Sequence, residues 1–335
     1  MSESFFMRVR RLSIARVRAR FLDIAMAPGA LVLGPFLSMF SKLNSWDSFT
    51  RRILDRFKVS VVPHHYYEPV VLASDLMMDP DTKRHLPGFD LNAEGQFSLV
   101  SKLNYRTELE SIPFETKEVG TFCWRNPSFT MGDAEMFYNI IRYFKPRRIF
   151  EIGAGNSTLI ARLAIAQNLR EDSSYSCWHV CIEPFEQPWL EAHDIEVRRE
   201  RVERIPLDFL TQLDHGDILF IDSSHVIRTQ GDVVFELLQL VPAVKPGVLV
   251  HIHDIFTPRD YPKNWTLYYR HMWGEQYLLE ALLSFNKEFE VIAAVNWLAH
   301  EHKDKLLEAC PILMKEPWIP SSFWIRRKDN HQVCK

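Results

Sequence analysis

The second half of the chain alternates between short apolar runs and longer amphipathic segments. Four apolar runs bounded by polar turns predict buried strands: 148–152, 178–182, 218–221 and 248–252. Helices are predicted at 133–144, 157–167 and 233–240. Strands that alternate with helices at this spacing form right-handed β-α-β units, so we expect an α/β fold with a doubly wound, mostly parallel sheet. Ligands bind beyond the carboxyl ends of the strands in such sheets, and functional residues are expected there.

The first part of the chain follows a different pattern. Residues 61–130 are rich in polar, aromatic and turn-forming side chains, and a helix is predicted from Asp90 through Leu103. We therefore expect two domains: an N-terminal helical and irregular cap at 1–120, and the α/β domain at 121–335.

An apolar stretch at 21–40 reads FLDIAMAPGALVLGPFLSMF and follows an arginine-rich segment. Twenty helical residues would be about 30 Å long, which is enough to cross a bilayer. Asp23 and the Pro-Gly and Gly-Pro dipeptides are instead expected to break the stretch into short helical pieces. We favour packing of this region on the rest of the protein or in a dimer contact. Peripheral membrane contact through residues 5–40 and a true membrane span are the alternatives.

Composition narrows the class of protein. With 47% hydrophobic and 25% charged residues among 335, the chain is neither fibrous nor mainly disordered. The net charge is −3, but residues 1–60 carry +7 and the rest carries −10, which argues against nucleic acid as a partner. Five cysteines without paired spacing indicate neither a disulfide framework nor a zinc site. We expect reduced thiols and a cytoplasmic location, with membrane association as the alternative.

The first predicted strand ends in a glycine loop, EIGAGNST, at 151–158. Gly153 and Gly155 let the backbone turn tightly and approach a ligand, and the following helix presents free N–H groups. A dinucleotide fingerprint would need a third glycine where this chain has Thr158. Glu151 would face a cation and would repel a pyrophosphate, so the loop favours a ligand that carries an amino group.

The second predicted strand ends in Glu183, within the sequence CIEP. An acid at this place can accept hydrogen bonds from two vicinal ribose hydroxyls, and its distance from the glycine loop suits that role. We interpret Glu183 as a ribose-binding residue.

Acids, histidines and a serine mark the next two strands. They are Asp222, Ser223, His225, His251, His253 and Asp254. Because these strands are expected to be neighbours, the clustering indicates catalysis. His251 lies deeper in its strand and is expected to be a hydrogen-bonded core residue. His253 and Asp254 lie at the rim, where the backbone can turn either side chain into the cleft.

These motifs together resemble the class I S-adenosylmethionine-dependent methyltransferases. The loop EIGAGNST, the acid in IEP, the segments ILFIDSSH and KPGVLVHIHD, and the helix EQYLLEALL occur in the family's order over about 120–330. The chain is most similar to a bacterial subgroup with FIDSSH and VHIHDIFTPRDYP motifs. It is also similar to the small-molecule and sugar O-methyltransferases of antibiotic pathways.

The resemblance implies a seven-stranded sheet and S-adenosylmethionine as cofactor. The methionine portion would be held by residues of the glycine loop: Glu151, Gly153, Gly155, Asn156 and Ser157. Glu183 would hold the ribose. Asp222, Ser223 and His225 would line the cleft beside the methyl group.

The resemblance also raises the question of a metal. Metal-dependent relatives carry carboxylates after strands four and five, where this chain has Asp222 and Asp254. It departs from them in having His253 and Ile255 around Asp254, so a site for Mg²⁺ is only partly reproduced. A divalent metal at Asp222 and Asp254 and a metal-free site both remain open.

The expected function is transfer of the methyl group to an oxygen of a small molecule or glycan. His253 or His225 would take the acceptor's proton at an ordinary pKa near ~6.5, with Asp254 beside them. The alternatives are an N- or carboxyl-methyltransferase and a non-catalytic binding protein on the same fold. The acceptor pocket is expected near the aromatic segments 64–67 and 256–265, and we expect a homo-oligomer.

Overall fold

In the computed structural model the described residues are 3–42, 49–62, 65–185, 187–316 and 318–329, with backbone alone for 3–19 and Lys42. The chain divides into two compact units, Met1–Asp75 and Leu76–Lys335.

The smaller unit is helical. It contains α1 (Glu3–Lys42), α2 (Phe49–Arg56) and a 3₁₀ turn at Ala73–Asp75. α1 runs unbroken through Pro28 and Pro35, so the prediction of several short pieces was wrong. Each proline removes one backbone N–H donor, while the Ala, Leu and Met residues around it favour the helix and keep the other turns bonded.

A seven-stranded sheet forms the centre of the larger unit. Its strands are β1 (Arg148–Ile152), β2 (Trp178–Ile182), β3 (Glu196–Arg198), β4 (Ile218–Ile221), β5 (Leu249–Ile252), β6 (Phe289–Ala294) and β7 (Phe323–Arg327). Their order is β3-β2-β1-β4-β5-β7-β6, and β7 runs antiparallel to both of its neighbours. The prediction of a mostly parallel, doubly wound seven-stranded sheet is confirmed.

Helices cover the sheet. They are α3 (Ala93–Val100), α4 (Arg106–Ser111), α5 (Asp133–Phe144), α6 (Asn156–Glu171), α7 (Leu207–Leu210), α8 (Asp232–Phe235), α9 (Val241–Ala243), α10 (Glu275–Leu283), α11 (Val295–Glu301) and α12 (Lys303–Ala309). Two π-helical segments lie at Glu236–Leu240 and Asn264–Tyr268. Short 3₁₀ turns lie at Leu190–Ala192, Val202–Arg204 and Pro311–Met314.

The larger unit begins well before the domain boundary expected at residue 120. α3 lies against β6, where the backbone N–H of Ala294 donates to the side-chain oxygen of Gln96 at 2.7 Å. Leu103 and Leu109 are buried in the same core as the sheet. A helix that supplies both a hydrogen bond and apolar area to an outer strand folds with that strand, so 76–120 belongs to this compact unit.

The carboxyl ends of the central strands lie level with one another. The backbone N–H of Gly153 donates to the Ile182 carbonyl at 3.0 Å, and that of Asp222 donates to the Ile152 carbonyl at 2.9 Å. The buried apolar strands fix this register, and the polar residues that follow them therefore meet at one edge of the sheet.

Candidate active site

A cavity of about 380 Å³ opens at the ends of β1, β2 and β4. Its lining comes from four connections that follow strands: Ile152, Gly153, Ile182, Glu183, Pro184, Phe185, Arg201, Val202, Glu203, Asp222, Ser223, Ser224, Arg228 and Asp232. Apolar side chains and backbone form much of the wall, and acidic groups lie at several points along it. This is the composition of a pocket for a polar ligand that has one apolar portion.

Gly153 shapes the floor of this cavity. Its φ is +80°, and a Cβ at this position would lie 1.9 Å from the carbonyl oxygen of Asp222. Gly155 is different, because its φ of −177° is ordinary extended backbone and its nearest neighbour to an added Cβ is Gln187 at 3.9 Å. The fold therefore requires glycine at position 153, whereas the space around Gly155 would admit a larger side chain.

Glu183 lies in the cavity wall, as the sequence predicted. Its carboxylate accepts hydrogen bonds from the backbone N–H groups of Ala154 at 3.2 Å and Phe185 at 2.8 Å. These two bonds fix the carboxylate and leave further lone pairs on both oxygens. The group is therefore oriented to accept hydrogen bonds from a pair of ligand hydroxyls.

Glu151 does not face the cavity, which corrects the expectation that it contacts the ligand. It is fully buried and accepts hydrogen bonds from the hydroxyls of Ser157 at 2.5 Å and Thr158 at 2.9 Å. His179 Nε2 lies 2.8 Å from its carboxylate, and the Cys181 thiol lies 3.5 Å away. Strand alternation explains the placement, since residue 151 points to the face of the sheet that α6 covers.

The other polar side chains of the glycine loop also point away from the cavity. Ser157 is buried on Glu151, and the Asn156 amide donates to the Ser128 hydroxyl at 2.8 Å. In the structure these two side chains bond other protein groups and are not among the residues that line the cavity. Within the loop at 151–158, the residues that line the cavity are Ile152 and Gly153.

A compact cluster of acids and imidazoles adjoins the cavity at Asp222. Nε2 of His225 lies 3.3 Å from Asp222 and 3.5 Å from Asp254. Nδ1 of His253 lies 3.5 Å from each of the same two carboxylates. His225 and Asp254 have φ values of +59° and +57°, so the backbone turns into the left-handed region at both strand ends. These turns bring all four predicted side chains together.

Buried partners hold the cluster from behind. Glu275 lies 2.7 Å from Nδ1 of His225, and the Ser321 hydroxyl donates to Asp254 at 2.8 Å. Nε2 of His253 has no hydrogen-bond partner among the described residues, and the nearest carboxylate to it is Asp133 at 3.7 Å. Groups from α10, from α5 and from the segment before β7 therefore surround the cluster.

The environment changes the acid–base behaviour expected of these histidines. Burial works against the charged imidazole, but contact with Asp222 and Glu275 raises the pKa of His225 well above its usual value. The charges of Asp254 and Asp222 likewise overcome burial and raise the pKa of His253. The expectation of an ordinary pKa was therefore wrong, because four acids meet these two rings within a few ångströms.

His251 is a core residue, as predicted. It is fully buried, its Nε2 lies 3.0 Å from the Ser322 hydroxyl, and its ring stacks on Phe220 at 4.0 Å. Burial lowers its pKa well below the usual value.

An aromatic face adjoins the cluster at His225. The Trp273 ring lies 4.3 Å from the His225 ring and stacks on His271 at 4.5 Å and 7°. Tyr269 also stacks on His271, at 5.8 Å and 19°, and it is 58% exposed. The sequence placed the acceptor pocket just before this segment, at 256–265, where Phe256 is buried.

The second aromatic segment expected near the acceptor, 64–67, belongs to the smaller unit. Tyr66 and Tyr67 are exposed there. His64 lies outside the described residues.

Sequence reasoning missed three residues that line the cavity and one that contacts His225. Arg201, Val202 and Glu203 follow β3, which has only three residues and no apolar run that marks it as a strand. Glu275 begins α10, more than twenty residues after β5, and only the fold brings it to His225.

Four of the cysteines lie in the described part of the chain. Cys123, Cys177, Cys181 and Cys310 are free in the described part of the chain. Cys334 lies outside it.

Known proteins resemble this chain in the same region. Residues 150–255 match a family model described as a methyltransferase domain. An uncharacterized protein of Archaeoglobus fulgidus is 26% identical over 213 residues, which cover 58% of this chain and 94% of that protein.

Two solved structures are similar at low identity. An O-methyltransferase from Bacillus cereus in complex with S-adenosylhomocysteine is 13% identical with a TM-score of 0.29, covering 69% of this chain and 91% of that chain. MycE methyltransferase from the mycinamycin biosynthetic pathway, in complex with Mg, S-adenosylhomocysteine and mycinamycin VI, is 15% identical with a TM-score of 0.31, covering 63% and 57%. The family match runs from within β1 to just beyond β5, so it includes the strand ends at which the cavity opens.

Proposed function

We propose that this protein transfers the methyl group of S-adenosylmethionine to an oxygen of a small molecule or glycan. The observation that carries the proposal is the position of Asp222, which belongs both to the wall of the cavity and to the cluster of His225, His253 and Asp254. A cofactor site and a set of proton-transferring groups thus meet at one carboxylate.

The cavity offers a suitable partner for each part of the cofactor. The Glu183 carboxylate, held by two backbone N–H groups, would accept hydrogen bonds from the ribose hydroxyls. Ile182, Pro184 and Val202 supply apolar walls for the adenine ring. Asp222 and the backbone at Gly153 would contact the charged methionine end of the cofactor.

S-adenosylmethionine, when bound, would supply an electrophilic methyl group, and its sulfur would keep the electron pair of the broken carbon–sulfur bond. The acceptor hydroxyl must also lose a proton. His253, whose Nδ1 lies 3.5 Å from Asp222 in the cavity wall, is our candidate for accepting that proton. Its raised pKa favours the protonated ring, so any cation that neutralises Asp222 and Asp254 makes the ring a better proton acceptor.

The same carboxylates fit a divalent metal. One ligand atom from each of Asp222, His225 and Asp254 lies within 4.8 Å of the others. Two carboxylates suit Mg²⁺ or Mn²⁺, while the imidazole also suits softer ions. A metal here would lower the pKa of an acceptor hydroxyl.

The aromatic face beside His225 supports an acceptor with a ring. The planes of Trp273, His271 and Tyr269 form one stacked series that begins at the catalytic cluster and ends in solvent. Sugar and aromatic rings pack well on such faces. This supports a small molecule or a glycan as the acceptor.

The test is transfer of radiolabelled methyl from S-adenosylmethionine to fractions of small metabolites and glycans by the full chain. We expect labelled product with the wild type and a loss of at least about 100-fold with His253→Ala, since general bases contribute about that much. Labelled methanol released from the product by mild alkali would identify a carboxyl ester instead. Label on nitrogen would overturn the oxygen assignment, and undiminished transfer by His253→Ala would remove that residue as the base.

A further inference from the structure

Helix α1 contains a long apolar segment whose described side chains are exposed. The window Arg20–Ser41 has 22 residues and a mean hydropathy of 1.6, and none of it is buried. Ten large apolar side chains in it are exposed to water: Phe21, Leu22, Ile24, Met26, Leu31, Val32, Leu33, Phe36, Leu37 and Met39. Leaving so much apolar area in water is unfavourable, and soluble proteins rarely expose patches of this size.

The apolar side chains surround the helix. Leu31, Val32 and Leu33 are consecutive and therefore point in three directions about 100° apart, yet they are 80%, 64% and 58% exposed. A helix that lies in a membrane surface or pairs with one partner helix has a polar face as well. This segment lacks one between Ile24 and Leu37, so it needs an apolar environment on every side.

The length and the placement of charge fit a lipid bilayer. From Phe21 to Phe40 the helix is about 30 Å long, close to the thickness of the hydrocarbon core. Its charged residues, Arg20 and Asp23, lie together at one end. Pro28 and Pro35 are compatible with this role, since prolines are tolerated in membrane helices.

The next helix has the properties of an interfacial segment. Phe49, Ile53 and Phe57 recur every four residues across α2 and its end, which places them on one face, and all three are exposed. α2 also carries three arginines. A basic amphipathic helix of this kind binds anionic headgroups beside a membrane anchor.

We propose that residues 20–41 span a lipid bilayer and that α2 lies at its anionic surface. A second copy of this chain would cover one side of α1 only and would leave the opposite side in water. The proposal concerns the smaller unit and does not depend on the reaction proposed for the larger one.

The test compares the full chain with a double variant, Leu31→Lys with Leu33→Lys. Lysine keeps helix propensity but is costly at the centre of a bilayer, so insertion should fall by about tenfold or more. The matched control is Met77→Lys with Met78→Lys, two exposed apolar residues outside α1 that receive the same charge. Circular dichroism of all three proteins in detergent verifies that each is folded.

Flotation with vesicles of phosphatidylcholine and phosphatidylglycerol, followed by alkaline carbonate extraction, is the measurement. We expect the wild type and the control to float and to resist extraction, and the double variant to stay behind. Release of the wild type by carbonate would show surface binding and overturn the span. If the wild type is a soluble dimer without detergent and the double variant is a monomer, the segment contacts a second copy instead. A mature N-terminus beyond residue 41, found by mass spectrometry, would show a cleaved signal. Either result contradicts the proposal.

Discussion

A Cβ on Gly153 would lie 1.9 Å from the carbonyl oxygen of Asp222, so the ends of β1 and β4 can approach only because residue 153 has no side chain. The positive φ at Gly153 adds backbone strain for any other residue. We expect Gly153→Ala to lower the free energy of unfolding by about 3 kcal/mol and to abolish cofactor binding. Urea denaturation and calorimetric titration with S-adenosylhomocysteine measure the two effects.

Gly155→Ala is the matched control for that substitution. The backbone there is extended and the space around an added methyl is open, so stability should change by less than about 1 kcal/mol. Equal destabilisation by both variants would contradict the role assigned to the contact between Gly153 and Asp222.

Substitution of Glu183 tests the ribose site. Glu183→Gln replaces one carboxylate oxygen by an amide NH₂ group. That group cannot accept the hydrogen bond of a backbone N–H or of a ligand hydroxyl. We expect the Kd for S-adenosylhomocysteine to rise about 10- to 100-fold, while Glu200→Gln on the surface leaves it unchanged. An unaltered Kd in Glu183→Gln would place the ribose elsewhere.

Substitution of Glu151 tests whether its carboxylate bonds the ligand or only other protein groups. If it bonded the ligand, as its position in the sequence suggested, Glu151→Gln would weaken cofactor binding at least tenfold. The structure instead surrounds it with Ser157, Thr158 and His179, so we expect a stability loss of about 2 kcal/mol and a Kd within about threefold of wild type. Thermal unfolding and calorimetry on the same samples decide between them.

The pH dependence of stability should reveal the buried His225. Its pKa in the folded state is raised, so the protonated ring stabilises the fold. This stabilisation is fully present below the unfolded pKa of about 6.5 and is lost as pH rises through the folded value. In EDTA, the free energy of unfolding should therefore fall above pH ~6.5, by at most about 1.4 kcal/mol per pH unit from this group.

The variant His225→Asn should flatten that slope, and His215→Asn on the surface should not. Parallel slopes for wild type and His225→Asn would show that the cluster does not hold a proton in the folded state.

Strand ends were predictable because apolar runs and the polar residues after them are local features. Glu183, Asp222, His253 and Asp254 therefore lie where the sequence indicated. The direction of a side chain is harder to predict than its position along a strand. Glu151 also lies near a strand end, but strand alternation turns its side chain toward α6. Partners far away in the chain, such as Glu275 on His225, depend on the packing of α10 and leave no signal near the motif.

The acid–base state of the cluster was equally hidden from the sequence. We assigned His225 and His253 the ordinary pKa because the sequence does not show which side chains surround them. In the structure, left-handed turns at His225 and Asp254 gather acids around both rings, and the pKa values rise. The prediction of breaks in the apolar stretch was also wrong, because α1 continues through Pro28 and Pro35.

Calorimetric titration of the full chain in detergent with S-adenosylhomocysteine and, in parallel, with NAD⁺ shows which cofactor the cavity binds. We expect saturable binding of S-adenosylhomocysteine at one site per chain, weakened by Glu183→Gln, and no heat from NAD⁺. A folded sample that shows no heat with millimolar S-adenosylhomocysteine would contradict this expectation.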